Sequence, residues 1–135
     1  MLDPGVLVAG LISATGAPRA LLSAWLDGAF EMVASPILVA ELERVLLRSK
    51  FRTYTSESEA QAFVSLIRRL ATIFPDPPMV VGLTPDPGDD YLVALARATS
   101  VDALVSGDRH LCDLVDPDPP ILTPRDFLER LASLE

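Results

Sequence analysis

The feature that most constrains the fold is the repeated change of apolar spacing along the chain, from short runs to longer patterns of helical period. The short runs FEMVAS (30–35), MVVGL (79–83) and DALVSG (102–107) are typical of strands, and the patterns between them are typical of amphipathic helices. Strands that alternate with helices form a mainly parallel sheet, because each crossover between parallel strands needs a long connection. The sequence therefore predicts an α/β fold whose mainly parallel sheet is covered by helices on both faces.

Capping residues mark where the predicted helices begin and end. GAPRALLSAWLDG predicts a helix that ends before Gly28, and SPILVAELERVLLRS predicts a helix with Ser35 as its N-cap. The stretch SESE at 56–59 fits a capping box, and the pattern that it opens runs to about Ile73. PPILTPRDFLERLASL predicts a last short strand and a C-terminal helix capped by Thr123.

Length and composition limit the domain count and the kinds of site. The 135 residues, of which 50% are apolar, are enough for one substantial core and too few for two, so residues 1–135 are predicted to form one domain. No window reaches the roughly 18 apolar residues of a membrane span, and MLDPGVLVAG lacks the basic flank of a signal peptide. We therefore expect a cytoplasmic protein with no membrane partner. Cys112 and His110 are the only residues of their types, so any bound metal needs oxygen ligands.

The net charge of −8 counts against a nucleic-acid partner unless basic residues cluster or a metal offsets the acids. One basic cluster is present, on the helix that carries Glu41 and in the turn after it. Its members are Arg44, Arg48, Lys50 and Arg52. Two interpretations are equally open: these side chains grip an RNA backbone, or they form a solvated helix end that the helix dipole favours.

Acidic residues fall where predicted strands end and predicted helices begin. Asp3 ends a first strand, Asp89 and Asp90 open the helix of TPDPGDDYLVALARA, and Asp108 ends the strand DALVSG. In open α/β sheets this edge is where ligands bind. Glu41 lies within the apolar stripe of its helix and is predicted to face inward. An inward carboxylate needs a cation, a hydrogen-bond partner or a raised pKa, because burying an unpaired charge is costly.

Each acid alone also has a simpler interpretation. Asp89 and Asp90 could be helix-starting acids, Asp3 and Asp108 turn residues, and Glu41 the partner of an arginine. Taken together, four acids at one sheet edge would repel one another unless a cation lay among them. Mg²⁺ or Mn²⁺ suits carboxylate ligands and leaves coordination positions for phosphate oxygens. The joint pattern therefore indicates metal-assisted phosphoryl chemistry.

Five stretches along nearly the whole chain also resemble a known family. They are LDPGVLVAGLIS, SPILVAELERVL, DPGDDYLVALARA, ALVSGDRHL and ILTPRDFLERL. In these stretches the sequence resembles the PIN domains, and among them the branch of VapC-type toxins. The resemblance implies a three-layer α/β/α sandwich with a mainly parallel central sheet and a metal-dependent ribonuclease site. By position, its four catalytic and metal-binding acids are Asp3, Glu41, Asp90 and Asp108.

The same resemblance implies supporting residues and partners. Ser106 stands where the family often has a hydroxyl that helps to position the acids, and Asp89 and Asp113 are candidate outer ligands. An RNA substrate and a small antitoxin protein are the implied partners. An apolar surface near the first helices is expected to bind the antitoxin, or a second copy of the chain in a homodimer.

Two alternatives to a ribonuclease follow from single residues. Gly5 stands where the family usually has Asn, which motivates a PIN-fold binding module with a weak or inactive nuclease site. A phosphoacceptor receiver domain resembles this pattern of acids but uses a lysine at the end of a late strand. That class is disfavoured, because Lys50 is the only lysine and lies in the helical first half.

Overall fold

The computed structural model describes residues 1–134. The α-helices of this part of the chain are α1 (Pro4–Ile12), α2 (Ala17–Leu26), α3 (Pro36–Leu46), α4 (Glu57–Leu70), α5 (Asp90–Ala98), α6 (Arg109–Cys112) and α7 (Pro124–Ser133). The strands are β1 (Val33–Ala34), β2 (Thr72–Ile73), β3 (Leu104–Val105) and β4 (Ile121–Leu122). Two short 3-10 helices, Ser49–Phe51 and Pro87–Asp89, lie before α4 and α5.

The strand pairings are parallel, as the alternating pattern predicts. β1 pairs with β2 and β3 pairs with β4, and Leu2 forms a single parallel bridge to Val105. The α/β fold class is therefore confirmed. Across residues 1–134 the sheet is smaller than expected, because the pairs β1–β2 and β3–β4 are separate and each strand has two residues.

Local capping explains why the helices begin where the sequence predicts. The Ser35 hydroxyl accepts a hydrogen bond from the Leu38 N–H at 3.2 Å, and so caps α3. At the start of α4, Ser56 and Glu59 bond each other's backbone N–H in a capping box. At the start of α7, the Thr123 hydroxyl accepts a hydrogen bond from the Asp126 N–H at 3.1 Å. Each cap satisfies a backbone N–H that has no partner within its helix, so these starts are fixed by neighbouring residues.

The prediction that the fourth helix runs to Ile73 is wrong. α4 ends at Leu70, Ala71 is extended, and Thr72–Ile73 is the strand β2. The Thr72 N–H donates to the Met32 carbonyl at 2.8 Å, next to β1. The pairing with β1, which the helical pattern could not show, therefore extends the chain at these β-branched residues.

The predicted strand MVVGL is not formed. The segment 79–83 is irregular, and Met79 and Val81 are 92% and 78% exposed. Three prolines, Pro75, Pro77 and Pro78, lie just before it; they lack the backbone N–H that a ladder needs. The predicted strand FEMVAS is likewise reduced to Val33–Ala34.

The packing of α1 on its neighbours sets the geometry of the candidate site. α1 contacts both α2 and α3, and α3 contacts α4. Gly10 lets α1 approach α2 closely, because a Cβ at that position would lie 2.6 Å from Leu22 Cδ1 and 3.0 Å from the Pro18 carbonyl oxygen. Asp3 at the start of α1 and Glu41 on α3 are thereby held at one end of the helix layer.

No single helix within residues 1–134 has the length and apolar character needed to cross a membrane. The helices α1 and α2 pass that test only when taken together, and they meet at an angle of 95°.

Candidate functional site

Four carboxylate side chains from four parts of the fold line one cavity of about 510 Å³. Asp3 precedes α1, Glu41 lies on α3, Asp89 ends the 3-10 helix before α5, and Asp108 precedes α6. Three of them, Asp3, Glu41 and Asp108, are among the predicted acids. The fourth is Asp89, for which the resemblance implies the role of an outer ligand, whereas Asp90 does not line the cavity.

Asp3 is the most buried of these acids, at 7% exposure, and both of its carboxylate oxygens are engaged. Oδ1 accepts the Val6 N–H at 2.9 Å, which caps α1, and Oδ2 accepts the Ser106 hydroxyl. Its own N–H donates to the Val105 carbonyl at 3.0 Å. Burial raises the pKa of Asp3, while the hydrogen bonds from Ser106 and Val6 oppose that rise. Asp3 is thus held by three hydrogen bonds in the lining of the cavity.

Ser106 connects Asp3 to Asp108. It is fully buried, and its hydroxyl donates to Asp3 while accepting the Asp108 N–H at 3.0 Å. The Asp108 carboxylate accepts the His110 N–H at 2.8 Å, as the N-cap of the short helix α6. One hydroxyl therefore fixes the backbone that presents Asp108 and the side chain of Asp3.

Glu41 lies in the cavity wall but is not buried. Its carboxylate accepts two hydrogen bonds from the Arg44 guanidinium, at 3.0 Å from Nε and 2.6 Å from Nη2. The side chains of Glu41 and Arg44 are 35% and 58% exposed. The bonded guanidinium of Arg44 lowers the pKa of Glu41. The simpler interpretation, pairing with an arginine, therefore holds in this structure. The Glu41 side chain is less buried than an inward-facing position predicts.

Asp90 is directed away from the cavity. It is 2% exposed, and its carboxylate accepts the Thr84 N–H at 2.7 Å, the Thr84 hydroxyl at 2.9 Å and the Gly82 N–H at 3.0 Å. Burial alone would raise the pKa of Asp90, but the hydrogen bonds from Thr84 and Gly82 outweigh it and lower the pKa. Asp90 therefore anchors the segment that leads into the 3-10 helix.

Asp89 takes the place in the cavity that Asp90 was expected to have. Its pKa is raised to about 6, first by burial and then by the carboxylates of Asp86, Asp108 and Asp3. A carboxyl group whose pKa is raised by acids from other elements lies in a crowded negative environment. Asp3, Asp89 and Asp108 line the same cavity, and we name these three residues the acidic group.

The other predicted site residues are divided between the cavity and the surface. Arg48 and Lys50 line the cavity beside the acidic group. Arg44 is engaged by Glu41, and Arg52 donates to the Leu46 carbonyl within the turn after α3. Asp113 is exposed at the end of α6 and lies outside the cavity wall.

The donor chemistry of the acidic group fits a hard divalent cation. Carboxylate oxygens suit Mg²⁺ or Mn²⁺, and a cation would relieve the repulsion that raises the pKa of Asp89. Within the described residues, however, no three Asp, Glu, His or Cys side chains are grouped closely enough to hold one ion together. Binding an ion therefore requires side chains such as Asp89 and Asp108 to turn toward Asp3, or Glu41 to leave Arg44.

Sequence reasoning missed the structural importance of Thr84, and it favoured ordinary packing over base stacking for Tyr91. Thr84 could have been noticed, because TPDPGDD places a hydroxyl residue and one Asp-Pro turn just before the two adjacent acids. Tyr91 lines the cavity, although the sequence offered no signal to separate that position from ordinary packing.

Comparison with known proteins identifies the fold. A family model described as PIN domain matches residues 1–110. The crystal structure of PAE2754 from Pyrobaculum aerophilum is similar with a TM-score of 0.70 and 17% identity, over 98% of this chain and 88% of that chain. This likeness confirms the predicted fold class. A search of curated proteins gave no match.

Proposed function

The chain belongs to the PIN domain family, and we propose that it is a metal-dependent endoribonuclease that cleaves RNA phosphodiester bonds. PIN domains are generally nucleases, so we expect this chain to hydrolyse phosphodiester bonds. We further propose that the enzyme is cytoplasmic and is the toxin of a VapBC-type toxin–antitoxin module.

The shared cavity is the observation that carries the ribonuclease proposal. It combines the acidic group with Arg48 and Lys50, two basic side chains that suit a phosphate backbone. A negative cavity alone would repel RNA, and basic side chains alone would not hydrolyse it. Acidic and basic side chains in the lining of one cavity therefore support the binding of a polyanion next to a cation site.

Asp3, Asp89 and Asp108 would hold the ion, and Glu41 would join them if it left Arg44. When bound, Mg²⁺ or Mn²⁺ supplies charge stabilisation for the phosphodiester and activates water at neutral pH. The chain's own residues position these groups: Ser106 and the Val6 N–H fix Asp3, and Ser106 fixes the backbone of Asp108. Arg48 and Lys50 would contact phosphates flanking the cleaved bond.

Cleavage of single-stranded RNA with Mg²⁺, with Mn²⁺ and with EDTA tests this proposal. We expect Asp3→Asn and Asp108→Asn to lower the rate on the order of a thousandfold, because each removes a ligand charge. Asp27→Asn is the matched control, since Asp27 is exposed at the end of α2 and lies outside the cavity. Cleavage that persists in EDTA, or that both cavity variants retain, would refute the metal mechanism.

The proposed partner is a small antitoxin with a basic segment, because a cytoplasmic ribonuclease needs restraint. A cavity lined by Asp3, Asp89 and Asp108 attracts a basic segment as well as a cation, and an arginine can pair with carboxylates in two hydrogen bonds. A homodimer through the apolar surface near the first helices is the further proposed assembly. Co-expression with the adjacent small reading frame should give a stable complex with suppressed cleavage, and Glu41→Gln should abolish toxicity of the chain expressed alone.

The second candidate is a PIN-fold binding module with a weak or inactive site. Two observations favour it: Gly5 provides no side-chain amide near Asp3, and Glu41 is already engaged by Arg44. Saturable thermal stabilisation by Mn²⁺ that disappears in Asp3→Asn supports the nuclease. A chain that is harmless alone, captures no small partner and shows no such stabilisation supports the binding module.

A further inference from the structure

The cavity that contains the acidic group also has an apolar wall. The residues of this apolar wall come from α1, α2, α3 and the 3-10 helix after α3. They are Val8, Ala9, Pro18, Val45 and Phe51. A phosphate and its hydration shell gain nothing from such a surface, since apolar groups cannot replace lost hydrogen bonds. The wall therefore fits a part of the ligand other than its phosphates.

The size of the cavity also indicates a ligand larger than a single phosphate. Its volume of about 510 Å³ is that of a small-molecule site, for which ~300–1,000 Å³ is typical. A single phosphodiester fills only a small part of such a space. A planar, largely apolar group next to the phosphate would use the remainder.

Phe51 offers that group an aromatic face. Its ring is partly buried, and the Lys50 ammonium lies 5.1 Å from its centroid. Phe51 packs against the core, whereas Lys50 is exposed, so displacing the Lys50 ammonium would open the ring face that it covers. Aromatic faces of this kind stack unpaired bases, and a nearby lysine can then contact the attached phosphate.

Tyr91 adds a polar atom that lacks a partner. It lies in the first turn of α5, next to the Asp89–Asp90 pair, and lines the cavity. Its hydroxyl is shielded from solvent and has no hydrogen-bond partner among residues 1–134. A phenol is protonated at neutral pH, so the Tyr91 hydroxyl can donate a hydrogen bond. A buried donor without an acceptor is costly, so a rotation of the Tyr91 side chain that brings its hydroxyl to an acceptor on a ligand in the cavity would remove that cost.

We propose that the apolar wall and Tyr91 form a subsite for one unpaired nucleobase, stacked on Phe51, whose edge accepts a hydrogen bond from the Tyr91 hydroxyl. This inference rests on the proposed ribonuclease function and adds to it how the substrate is held. The base enters the apolar wall while its phosphate meets Lys50 and Arg48, and the adjoining phosphodiester reaches the acidic group. Tyr91 is then a residue that positions substrate by direct contact.

An NMR titration in the presence of Mg²⁺ tests the subsite without any cleavage. It measures how tightly the intact protein binds uridine 5′-monophosphate and ribose 5-phosphate. The two probes share the phosphate and differ in the base. We expect the nucleotide to bind roughly tenfold more tightly than the sugar phosphate. Equal affinity for the two probes would overturn the proposal.

Two variants assign the contacts. Tyr91→Phe keeps the ring and removes the hydroxyl, and should weaken nucleotide binding about 3- to 10-fold with no change for ribose 5-phosphate. Tyr54→Phe is the matched control, because Tyr54 is 64% exposed and lies outside the cavity. Phe51→Leu keeps an apolar wall but removes the stacking face, and should weaken nucleotide binding by a similar factor. Unchanged nucleotide affinity in both cavity variants would overturn the subsite.

The binding assay separates the subsite from the function. RNA cleavage with no preference for the nucleotide over ribose 5-phosphate would leave the ribonuclease standing and refute the subsite. Base-dependent binding without any RNA cleavage would support the subsite and refute the nuclease. Failure of both assays would refute both proposals.

Discussion

The Asp90 carboxylate accepts hydrogen bonds from both the backbone N–H and the hydroxyl of Thr84, at 2.7 and 2.9 Å. Through these bonds Asp90 ties the irregular segment before the 3-10 helix to the first turn of α5. Asp89, the neighbouring residue, is then left to face the cavity. Two adjacent aspartates thus have different environments: Asp90 anchors the preceding segment, and Asp89 lines the cavity.

Thr84→Val should destabilise the protein by about 1 kcal/mol, because it removes the hydroxyl that Asp90 accepts. Asp90→Asn should increase amide exchange at Gly82 and Thr84, since a neutral side chain is a weaker acceptor for three donors. Hydrogen exchange followed by mass spectrometry measures this. Thr53→Val, at an exposed site away from the cavity, is the matched control for the threonine change. Unchanged protection of Gly82 and Thr84 in Asp90→Asn would contradict the anchoring role.

Arg44→Met should raise the affinity for Mn²⁺ severalfold, because it releases Glu41 from its two hydrogen bonds. Removing any positive charge near the acids also favours a cation, so Arg48→Met, which changes a cavity-lining arginine, measures that general effect. Mn²⁺ titration followed by electron paramagnetic resonance gives both affinities. An effect of Arg44→Met no larger than that of Arg48→Met would show that Glu41 is not a ligand.

The pKa of Asp89 predicts a pH dependence of stability. This pKa is about 6 in the folded protein, against 3.8 for an ordinary aspartate, so the folded state binds the proton more tightly than the unfolded state. The contribution of Asp89 to the free energy of unfolding is therefore fully present below pH 3.8 and is lost as the pH rises through about 6.

Asp89→Asn cannot ionise and should be more stable than the wild type above pH 6, by about 1 kcal/mol once solvent screening of this half-exposed side chain is included. Urea denaturation on either side of that pH, without added metal, measures the difference. Asp27→Asn serves as the exposed control. If Asp89→Asn and the wild type have the same pH dependence, Asp89 does not share a crowded site with Asp3 and Asp108.

Gly10→Ala should destabilise the fold by about 1–3 kcal/mol, because the new Cβ would meet Leu22 Cδ1 at 2.6 Å and the Pro18 carbonyl oxygen at 3.0 Å. The contact includes backbone, so rotation of Leu22 alone cannot relieve it. Gly107→Ala is the matched control, since nothing lies within 4 Å of a Cβ there. Chemical denaturation that gives equal stabilities for the two variants would contradict the close packing of α1 on α2.

Features set by neighbouring residues were predictable from the sequence. The caps at Ser35, Ser56 and Thr123 depend on residues three positions away, and all three are confirmed. The strand β2 was not predictable in this way, because Thr72 and Ile73 continue an apolar pattern and become extended only by pairing with β1. Local rules therefore located the helix starts and missed a strand that depends on a distant partner.

The candidate site shows the same limit. The sequence pattern predicted that Asp3, Glu41 and Asp108 lie at one edge of the sheet, and all three line one cavity in the structure. The resemblance assigned Asp90 to the site and Asp89 to its periphery, whereas Asp89 lines the cavity, because Thr84 and Gly82 hold the adjacent Asp90 carboxylate. The catalytic and metal-binding roles of these acids stay predictions.

The bond between Ser106 and Asp3 joins residues 103 positions apart. During translation Asp3 leaves the ribosome 103 residues before Ser106, which follows strand β3. Until Ser106 has been made, Asp3 lacks its hydroxyl partner and the Leu2–Val105 bridge is unformed. The acidic group, which also includes Asp108, can therefore assemble only once β3 and the residues after it have left the ribosome.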